Sequence, residues 1–424
     1  MNLRVKRVGA VRGALRPPSD KSMTHRAYML SAIAEGKSLI EQPLMGEDCE
    51  ATLRCLRLMG VQAEWISDHR LAVEPPASWI QPDRELYCGN SGTTMRLLSG
   101  LIASRPLEAV LTGDDSLSRR PMGRIAEPLT LMGATVRGER PPLHIIGAQL
   151  EGIEYLSPVA SAQVKSCVLL AGLRAEGETW VKEPSLSRDH TERMLSALGV
   201  EVMGEGTLVG VRGGSRVSSF VFEVPADISS AAFFMVAAAI VPNSDVELLD
   251  VTVNPTRTGI LDVFEQTGTP VTTSNFRHSL GEPLANIYVR SASSLRPFSI
   301  SGDTIPRLID EIPILAVLAT QCDGESVIKD AQELRVKESD RIELVVRGLR
   351  DMGADIEATE DGMAIRGPSR LHGARIDAKS DHRIAMSFAI AALIAEGETE
   401  IVGAEAIKTS FPDFEKELWR LSVV

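Results

Sequence analysis

Aromatic residues make up only 4 % of the 424-residue chain against 44 % hydrophobic residues in all, so the core must be built from Ala, Val, Leu, Ile and Met. Positive charge is in deficit as well, with 45 Lys and Arg against 57 Asp and Glu and a formal net charge of −12. That balance argues against a general binder of nucleic acid or of anionic membrane, and an anionic ligand would need a local concentration of cations. Cysteine is sparse: Cys49, Cys55, Cys88, Cys167 and Cys322 are odd in number and scattered, with no CxxC pair. Reduced thiols in a cytoplasmic protein fit that pattern. The longest apolar run, Ala231 to Val241, falls far short of the ~20 residues that span a bilayer. Met1 to Arg7 lacks the apolar stretch of a secretory signal. Metal-ligand spacings, a Walker loop and a GxSxG elbow are all missing.

What the chain does have is repetition. Ala/Leu-rich helices are expected to begin near Arg26, Thr93, Ala162, Ser229, Glu311 and Arg383. Most are followed by a small turn and a β-like run, such as Gly177-Glu178-Thr179-Trp180-Val181 or Gly324-Glu325-Ser326-Val327-Ile328. An amphipathic helix then closes on glycine, at Gly60, Gly133, Gly199, Gly268 and Gly353, where a left-handed C-cap is the natural reason for the residue. The repeat is roughly 70 residues long, too long for an ordinary solenoid unit, and its alternation of strands with helices is that of α/β units. The sixth copy runs out after a helix from Asp413 to Leu421. The strands Leu3–Val8 and Gly13–Arg16 are therefore expected to complete it. Six units divide three and three, giving one discontinuous domain of residues 1–17 and 228–424 and a second of residues 18–227.

The helix starts carry an unusual feature. Pro17-Pro18-Ser19-Asp20-Lys21-Ser22-Met23-Thr24-His25-Arg26 stops a strand with two prolines, offers small oxygen-bearing caps, and then places two cations in the first turn. Cations there oppose the helix dipole unless an anion is held among them and the free amides. Gly89-Asn90-Ser91-Gly92-Thr93-Thr94-Met95-Arg96 is a glycine-rich turn before a helix, and Ser118-Arg119-Arg120-Pro121 ends a polar loop. Ser161-Ala162-Gln163 and Ser187-Arg188 repeat the pattern of hydroxyls, amides and cations. Asp310-Glu311, Lys337-Glu338-Ser339-Asp340-Arg341, Asp381-His382-Arg383 and Lys408-Thr409-Ser410 supply further charges. Each has a plain alternative: ordinary capping, a solvated surface cluster, or a helix-surface ion pair of Glu338 with Arg341. Together, Lys21, Arg26, Arg120, Arg188, Arg341, Arg383 and Lys408 form a set able to hold more than one polyanion. Asp310 and Glu338 provide carboxylates for proton transfer.

Six of these stretches, in order, resemble the 5-enolpyruvylshikimate-3-phosphate synthase family: Asp-Lys-Ser-x-x-His-Arg, Gly-Asn-Ser-Gly-Thr-Thr-Met-Arg, Arg-Arg-Pro-Met-Gly, Arg-Val-Lys-Glu-Ser-Asp-Arg, Asp-His-Arg-Ile-Ala-Met and Lys-Thr-Ser-Phe-Pro-Asp. The resemblance runs from about Arg12 to Leu421. It implies a two-domain inside-out α/β barrel of six βαβαββ-type repeats, and transfer of the enolpyruvyl group of phosphoenolpyruvate to the 5-hydroxyl of shikimate 3-phosphate. It implies no metal or organic cofactor, two small-molecule substrates, a monomer, and no nucleic-acid or membrane partner. By motif, Lys21, Ser22, Arg26, Ser161, Ala162, Gln163, Arg188, Asp310 and Lys337 match the shikimate-phosphate side. Lys21, Gly92, Arg120, Gln163, Arg341, Arg383 and Lys408 match the phosphoenolpyruvate side. Asp310 matches the acceptor of the 5-hydroxyl proton and Glu338 the donor to the methylene carbon, with Lys21 the third catalytic position. Arg188, where many bacterial relatives have tyrosine, and Ser-Ala-Gln in place of Ser-Ser-Gln resemble the second bacterial class. Ser19 departs from the family's usual glycine. The resemblance also makes Gly92 a neighbour of glyphosate, the family's inhibitor, and resistant relatives of the second class often carry alanine there.

Two other functions remain to be weighed. The related UDP-N-acetylglucosamine enolpyruvyl transferases usually carry a cysteine five residues before the loop arginine, where this chain has Asp115, and they lack the Asp-Lys-Ser-x-x-His-Arg pattern. A non-catalytic repeat scaffold that binds an anion would leave Asp310 and Glu338 without a role.

Overall fold

Side-chain oxygens build the helix starts. In the computed structural model, which describes residues 2–423, Asp20 accepts a hydrogen bond from the Met23 amide and opens the helix Lys21–Ser31. Ser91 caps Gly92–Ala103, Ser161 caps Ala162–Gly172, Asp227 caps Ile228–Ile240 and Asp381 caps His382–Ala392 in the same manner. Each cap satisfies an amide that the first helical turn leaves without a partner. Ile312–Ala319 differs: it has Pro313 in its first turn and no side-chain cap bond from Glu311. Proline has no amide hydrogen to satisfy, so a cap matters less there. The buried Glu311 carboxylate instead accepts from the Ser229 hydroxyl.

These six helices are largely buried, and all but Lys21–Ser31, which buries Thr24, His25 and Arg26, are mostly apolar, as helices inside a fold are. Every residue of Ile228–Ile240 but the last is buried, and so is every residue of Ile312–Ala319 and His382–Ala392. The chain forms two units: one comprises the chain up to Pro18, Pro225–Arg277 and the chain from Pro283 on, and the other comprises Ser19–Val224 and His278–Glu282. In the first unit the helices Ile228–Ile240, Ile312–Ala319 and His382–Ala392 pack on one another. In the second, Gly92–Ala103 packs on both Lys21–Ser31 and Ala162–Gly172. The second pair can approach closely because position 100 is glycine: a Cβ there would lie 2.2 Å from the Cys167 carbonyl oxygen.

The sheets cover these helices, and four of the six share one plan. Leu86–Tyr87 runs parallel to Glu108–Thr112, which pairs antiparallel with Leu143–Ile146, itself antiparallel to Thr135–Arg137. The buried helix Gly92–Ala103 makes the crossover that a parallel pair requires. The sets Glu154–Leu156, Glu178–Lys182, Leu208–Arg212, Val202–Glu205 and Ser299–Ile300, Gly324–Ile328, Met363–Gly367, Asp355–Ala358 repeat the plan. The glycines that close the amphipathic helices all have positive φ; Gly268, at +75°, is the left-handed cap of Gly259–Thr267.

In the fourth sheet of this plan the parallel strand comes late in the chain: Val221–Glu223 runs beside Ser38–Glu41. The same displacement occurs in the other unit, where Ala10–Leu15 runs parallel to the strand Asp245–Thr252. At both points the chain finishes the opening strand of a repeat in one unit and enters a buried helix of the other. The expectation that both N-terminal strands complete the sixth repeat is corrected here. Asn2–Lys6 pairs antiparallel with Glu398–Val402 of the sixth repeat, but Ala10–Leu15 opens the fourth. Among the described residues no other strand runs parallel to Asp245–Thr252, which has beyond it a single parallel bridge, Ala226 to Val251. The sixth copy also does not stop at its helix, since Ser422–Val423 follows Phe414–Leu421 and pairs with Ala10–Val11.

Candidate active site

The two units carry separate groups of the residues singled out from sequence. In the Ser19–Val224 unit, Lys21 is the first residue of its helix and its Nζ lies 2.9 Å from Asp48 Oδ2. One turn on, Arg26 is only 3 % exposed. It donates to the Ser22 carbonyl at 2.9 Å, to Thr191 Oγ1 at 2.7 Å and to Ser166 Oγ at 2.8 Å. Burial pulls its pKa down to about 10, with Glu192 and Asp20 acting the other way, so it stays charged at neutral pH. Arg26 thereby ties the first helix to the Ala162–Gly172 and His190–Ala197 helices.

His25, wholly buried, starts a chain of hydrogen bonds on the other side of the same helix. Its Nδ1 lies 2.7 Å from Thr52 Oγ1, which lies 2.7 Å from Thr94 Oγ1, which donates to Ser91 Oγ at 2.7 Å. Ser91 caps the helix that begins at Gly92. The relay fixes the Gly92 turn relative to Lys21 through four side chains, all buried.

Around Gly92 the cations converge. A Cβ at this position would lie 3.0 Å from one Arg96 terminal nitrogen and 3.3 Å from one of Arg120. Arg96 donates to the Gln163 side-chain oxygen and, at 3.2 Å, to the Pro121 carbonyl. Gln163 Nε2 donates to Thr93 Oγ1 at 2.8 Å. Arg120 is aimed by Asn90, which is itself held by Asp114 at 2.7 Å. Gly92, Arg120 and Gln163 are thus brought together, and Ser161 and Ala162 lie at the start of the helix that carries Gln163. Arg188 follows in the loop after Glu183, near enough to Arg26 for its charge to lower that group's pKa.

The other unit gathers Asp310, Lys337, Glu338, Arg341 and Arg383. Arg341, 1 % exposed, is the centre. Its Nε donates to Asp381 Oδ2 at 2.9 Å, one terminal nitrogen to Glu338 Oε2 at 2.6 Å and the other to Asp310 Oδ1 at 3.3 Å. Burial opposes the charge, but Asp381, Glu338 and Asp310 outweigh it and raise the guanidinium's pKa. Lys337 Nζ stands 3.7 Å from Asp310 Oδ1. Arg383 stands 3.8 Å from Asp310 Oδ2 and donates to its carbonyl at 3.3 Å. Two carboxylates, Asp310 and Glu338, are therefore held in fixed positions among three cations. Lys408 is set apart: it lies exposed on the turn Ala404–Thr409, which packs on the His382–Ala392 helix, and no ion pair joins it to this cluster among the described residues.

A family model for "EPSP synthase (3-phosphoshikimate 1-carboxyvinyltransferase)" matches residues 5–418. The chain belongs to the EPSP synthase family. A 3-phosphoshikimate 1-carboxyvinyltransferase of Bacillus cereus (strain B4264) is 50 % identical over 415 residues, covering 97 % of this chain and 96 % of that protein. One from Bacillus thuringiensis (strain Al Hakam) is 51 % identical with the same coverage. Among solved structures, EPSP synthase from Acinetobacter baumannii superposes with a TM-score of 0.89 at 44 % identity, over 100 % of this chain and 98 % of that one. The enolpyruvyl transferase NikO from Streptomyces tendae, 16 % identical with a TM-score of 0.79 over 99 % and 97 % of the chains, shares the fold.

In this EPSP synthase family member, Arg96 and Asp381 stand in motifs quoted from the sequence but carry contacts not assigned to them there, and Asp48 lies outside those motifs. Arg96 was signalled, because it stands four residues after Gly92 and so on the same helix face. The pairings of Asp48 with Lys21 and of Asp381 with Arg341 were not, since a carboxylate's pairing with a distant cation is visible only once the chain has folded.

Proposed function

We propose that the protein transfers the enolpyruvyl group of phosphoenolpyruvate to the 5-hydroxyl of shikimate 3-phosphate, releasing inorganic phosphate, in the route to aromatic amino acids. The observation that carries this reading is the Arg341 cluster: Asp310 and Glu338 share one buried arginine, with Lys337 and Arg383 beside Asp310. Helix capping would need neither the buried fork nor the pair of carboxylates.

In this reading Glu338 delivers a proton to the methylene carbon of phosphoenolpyruvate, and cationic character develops at C2. Asp310 takes the proton of the 5-hydroxyl as its oxygen bonds to C2, giving a tetrahedral ketal phosphate. The C2–O bond to phosphate then breaks while the methyl group returns a proton to the Glu338 carboxylate, restoring the carbon–carbon double bond and leaving the product's enol ether. Arg120, Arg341, Arg383 and Lys408 hold the phosphate and carboxylate of phosphoenolpyruvate, with Gly92 allowing close approach and Gln163 and Lys21 reaching both substrates. Ser22, Arg26, Ser161, Ala162, Arg188 and Lys337 position shikimate 3-phosphate. The cations act by placement and charge, not by covalent chemistry. All five cysteines are free and buried, which suits a reducing cytoplasm, and we take the enzyme to act there as a monomer. No helix among the described residues is long and apolar enough to cross a membrane. Phosphate release from phosphoenolpyruvate with shikimate 3-phosphate tests the proposal. Release with UDP-N-acetylglucosamine instead would assign the related transferase activity, and release with neither would leave an anion-binding scaffold.

A further inference from the structure

Beneath the proposed shikimate-phosphate residues lies a buried group of charges that the reaction itself does not use. Glu183 follows the strand Glu178–Lys182 directly, and its amide donates to the Thr207 carbonyl at 2.8 Å. Its carboxylate faces three ways. Oε1 accepts the Ser161 amide at 2.8 Å, while Oε2 accepts the Ser187 hydroxyl at 2.9 Å and lies 2.9 Å from Lys165 Nζ. Lys165 also lies 2.7 Å from Glu192 Oε1 and donates to the Ser187 carbonyl at 3.4 Å. The Lys165 and Glu183 side chains are each 1 % exposed. Burial works against the lysine's charge, but Glu192 and Glu183 outweigh it and hold its pKa up.

A buried ion pair is seldom justified by stability alone, because apolar residues of the same volume commonly do as well or better. The geometry here supplies another reason. Ser161 begins the helix that carries Ala162 and Gln163, and Ser187 immediately precedes Arg188. The Ser161 hydroxyl accepts a long, 3.5 Å cap bond from the Val164 amide and its carbonyl accepts from the Lys165 amide at 3.0 Å, both within its own helix start, while its amide reaches outside that helix to Glu183. A single carboxylate thus fixes two loops against each other, and Lys165 fixes the carboxylate. With Arg26 bonded to Thr191 and Ser166 alongside, two buried cations stand with the buried Glu183 and the half-buried Glu192.

We infer that Glu183 is a positioning residue for shikimate 3-phosphate: it sets the spacing between the Ser161–Gln163 helix start and Arg188, with Lys165 as its counter-ion. The inference rests on the proposed function and deepens it. An amide in place of the carboxylate has one acceptor oxygen, which cannot serve both Ser161 and the Ser187–Lys165 side. Glu183→Gln should therefore raise the KM for shikimate 3-phosphate about 10- to 100-fold, the usual effect of losing a hydrogen bond to a charged group. The KM for phosphoenolpyruvate and kcat should each move by less than about threefold, the signature of lost ground-state binding. The double variant Lys165→Met/Glu183→Gln restores the buried charge balance. It should recover the melting temperature lost by the single variant without recovering the shikimate 3-phosphate KM. Recovery of both would overturn the inference, as would a single variant in which both KM values rise by one factor. Arg188→Ala serves as the reference: if it raises the shikimate 3-phosphate KM and Glu183→Gln does not, the positioning role alone fails. If the wild-type protein releases no phosphate from this substrate pair, the functional reading fails first and the inference falls with it.

Discussion

Arg341 Nε lies 2.9 Å from Asp381 Oδ2, and neither side chain is more than 1 % exposed. The same Asp381 caps the His382–Ala392 helix through the amides of Arg383 and Ile384 and accepts from the Ser339 hydroxyl at 2.9 Å. One buried carboxylate therefore joins the helix that carries Arg383 to the segment that carries Lys337 and Glu338. Removing the arginine would strand Asp381 and unclasp Glu338 and Asp310 together. Arg341→Met should destabilise the protein by about 3–5 kcal/mol, the usual cost of breaking a buried pair from one side. Arg341→Lys should melt closer to wild type yet remain poorly active, because an ammonium group lacks the planar fork that bonds three carboxylates at once. Thermal melting and turnover of both variants check this, and a Lys variant with wild-type turnover would reduce Arg341 to a point charge.

In the proposed reaction, proton transfer separates Asp310 and Glu338 from the residues that only bind. Asp310→Asn and Glu338→Gln should each lower turnover by ~10²-fold or more, with substrate binding less affected. Single-turnover phosphate release at saturating substrate measures the chemical step directly. Near-normal rates in either variant would return that residue to the ion-pair role its bond to Arg341 already gives it.

The Gly92 turn should discriminate inhibitor from substrate. Its missing Cβ would meet the terminal nitrogens of Arg96 at 3.0 Å and Arg120 at 3.3 Å, so Gly92→Ala displaces two guanidinium groups by a few tenths of an ångström. Glyphosate, longer than phosphoenolpyruvate, should suffer more from that shift. The glyphosate inhibition constant is expected to rise by a larger factor than the phosphoenolpyruvate KM. Equal factors, or no change in either constant, would remove Gly92 from the site.

Acid should destabilise the protein through His25. Burial lowers its pKa to about 3; Lys21 and Arg26 add to that effect, while Asp48 and Asp20 oppose it. In the unfolded chain the ring titrates near ~6.5. Between those values the unfolded chain holds a proton that the folded protein does not, so stability falls as pH drops through this window, by about 1.4 kcal/mol per pH unit. His25→Gln has no proton to gain and should show a shallower loss. Melting curves for both proteins from about pH 7 to 4 decide it, and parallel losses would show that other groups control the acid limb.

The helix starts were legible because their signals are local. Asp20, Ser91, Ser161 and Asp227 each cap a helix whose apolar run follows at once, and Gly268 closes one within its own turn. Strand pairing was less legible: Val11 bonds to Ser244, 233 positions along the chain, and nothing in the sequence near Ala10–Leu15 favours the fourth repeat over the sixth. The site divided the same way. Cations at helix mouths stood out as departures from the dipole rule, whereas Asp381 and Glu183 sit at ordinary carboxylate positions in the sequence. Their importance comes from burial, which only folding confers.

The position of Ala10–Leu15 bears on the order in which the molecule can be made. This strand leaves the ribosome before either neighbour, since its parallel partner Asp245–Thr252 and its antiparallel partner Ser422–Val423 both lie far later in the chain. Domains tend to fold as units as they emerge. Ser19–Val224 is nearly all of one unit and can assemble early. The other must keep Ala10–Leu15 waiting until Asp245–Thr252 and Ser422–Val423 have been made. That strand carries Arg12 and Gly13 and lacks a continuous apolar face, which suits a segment that has to stay soluble and unpaired until those partners arrive.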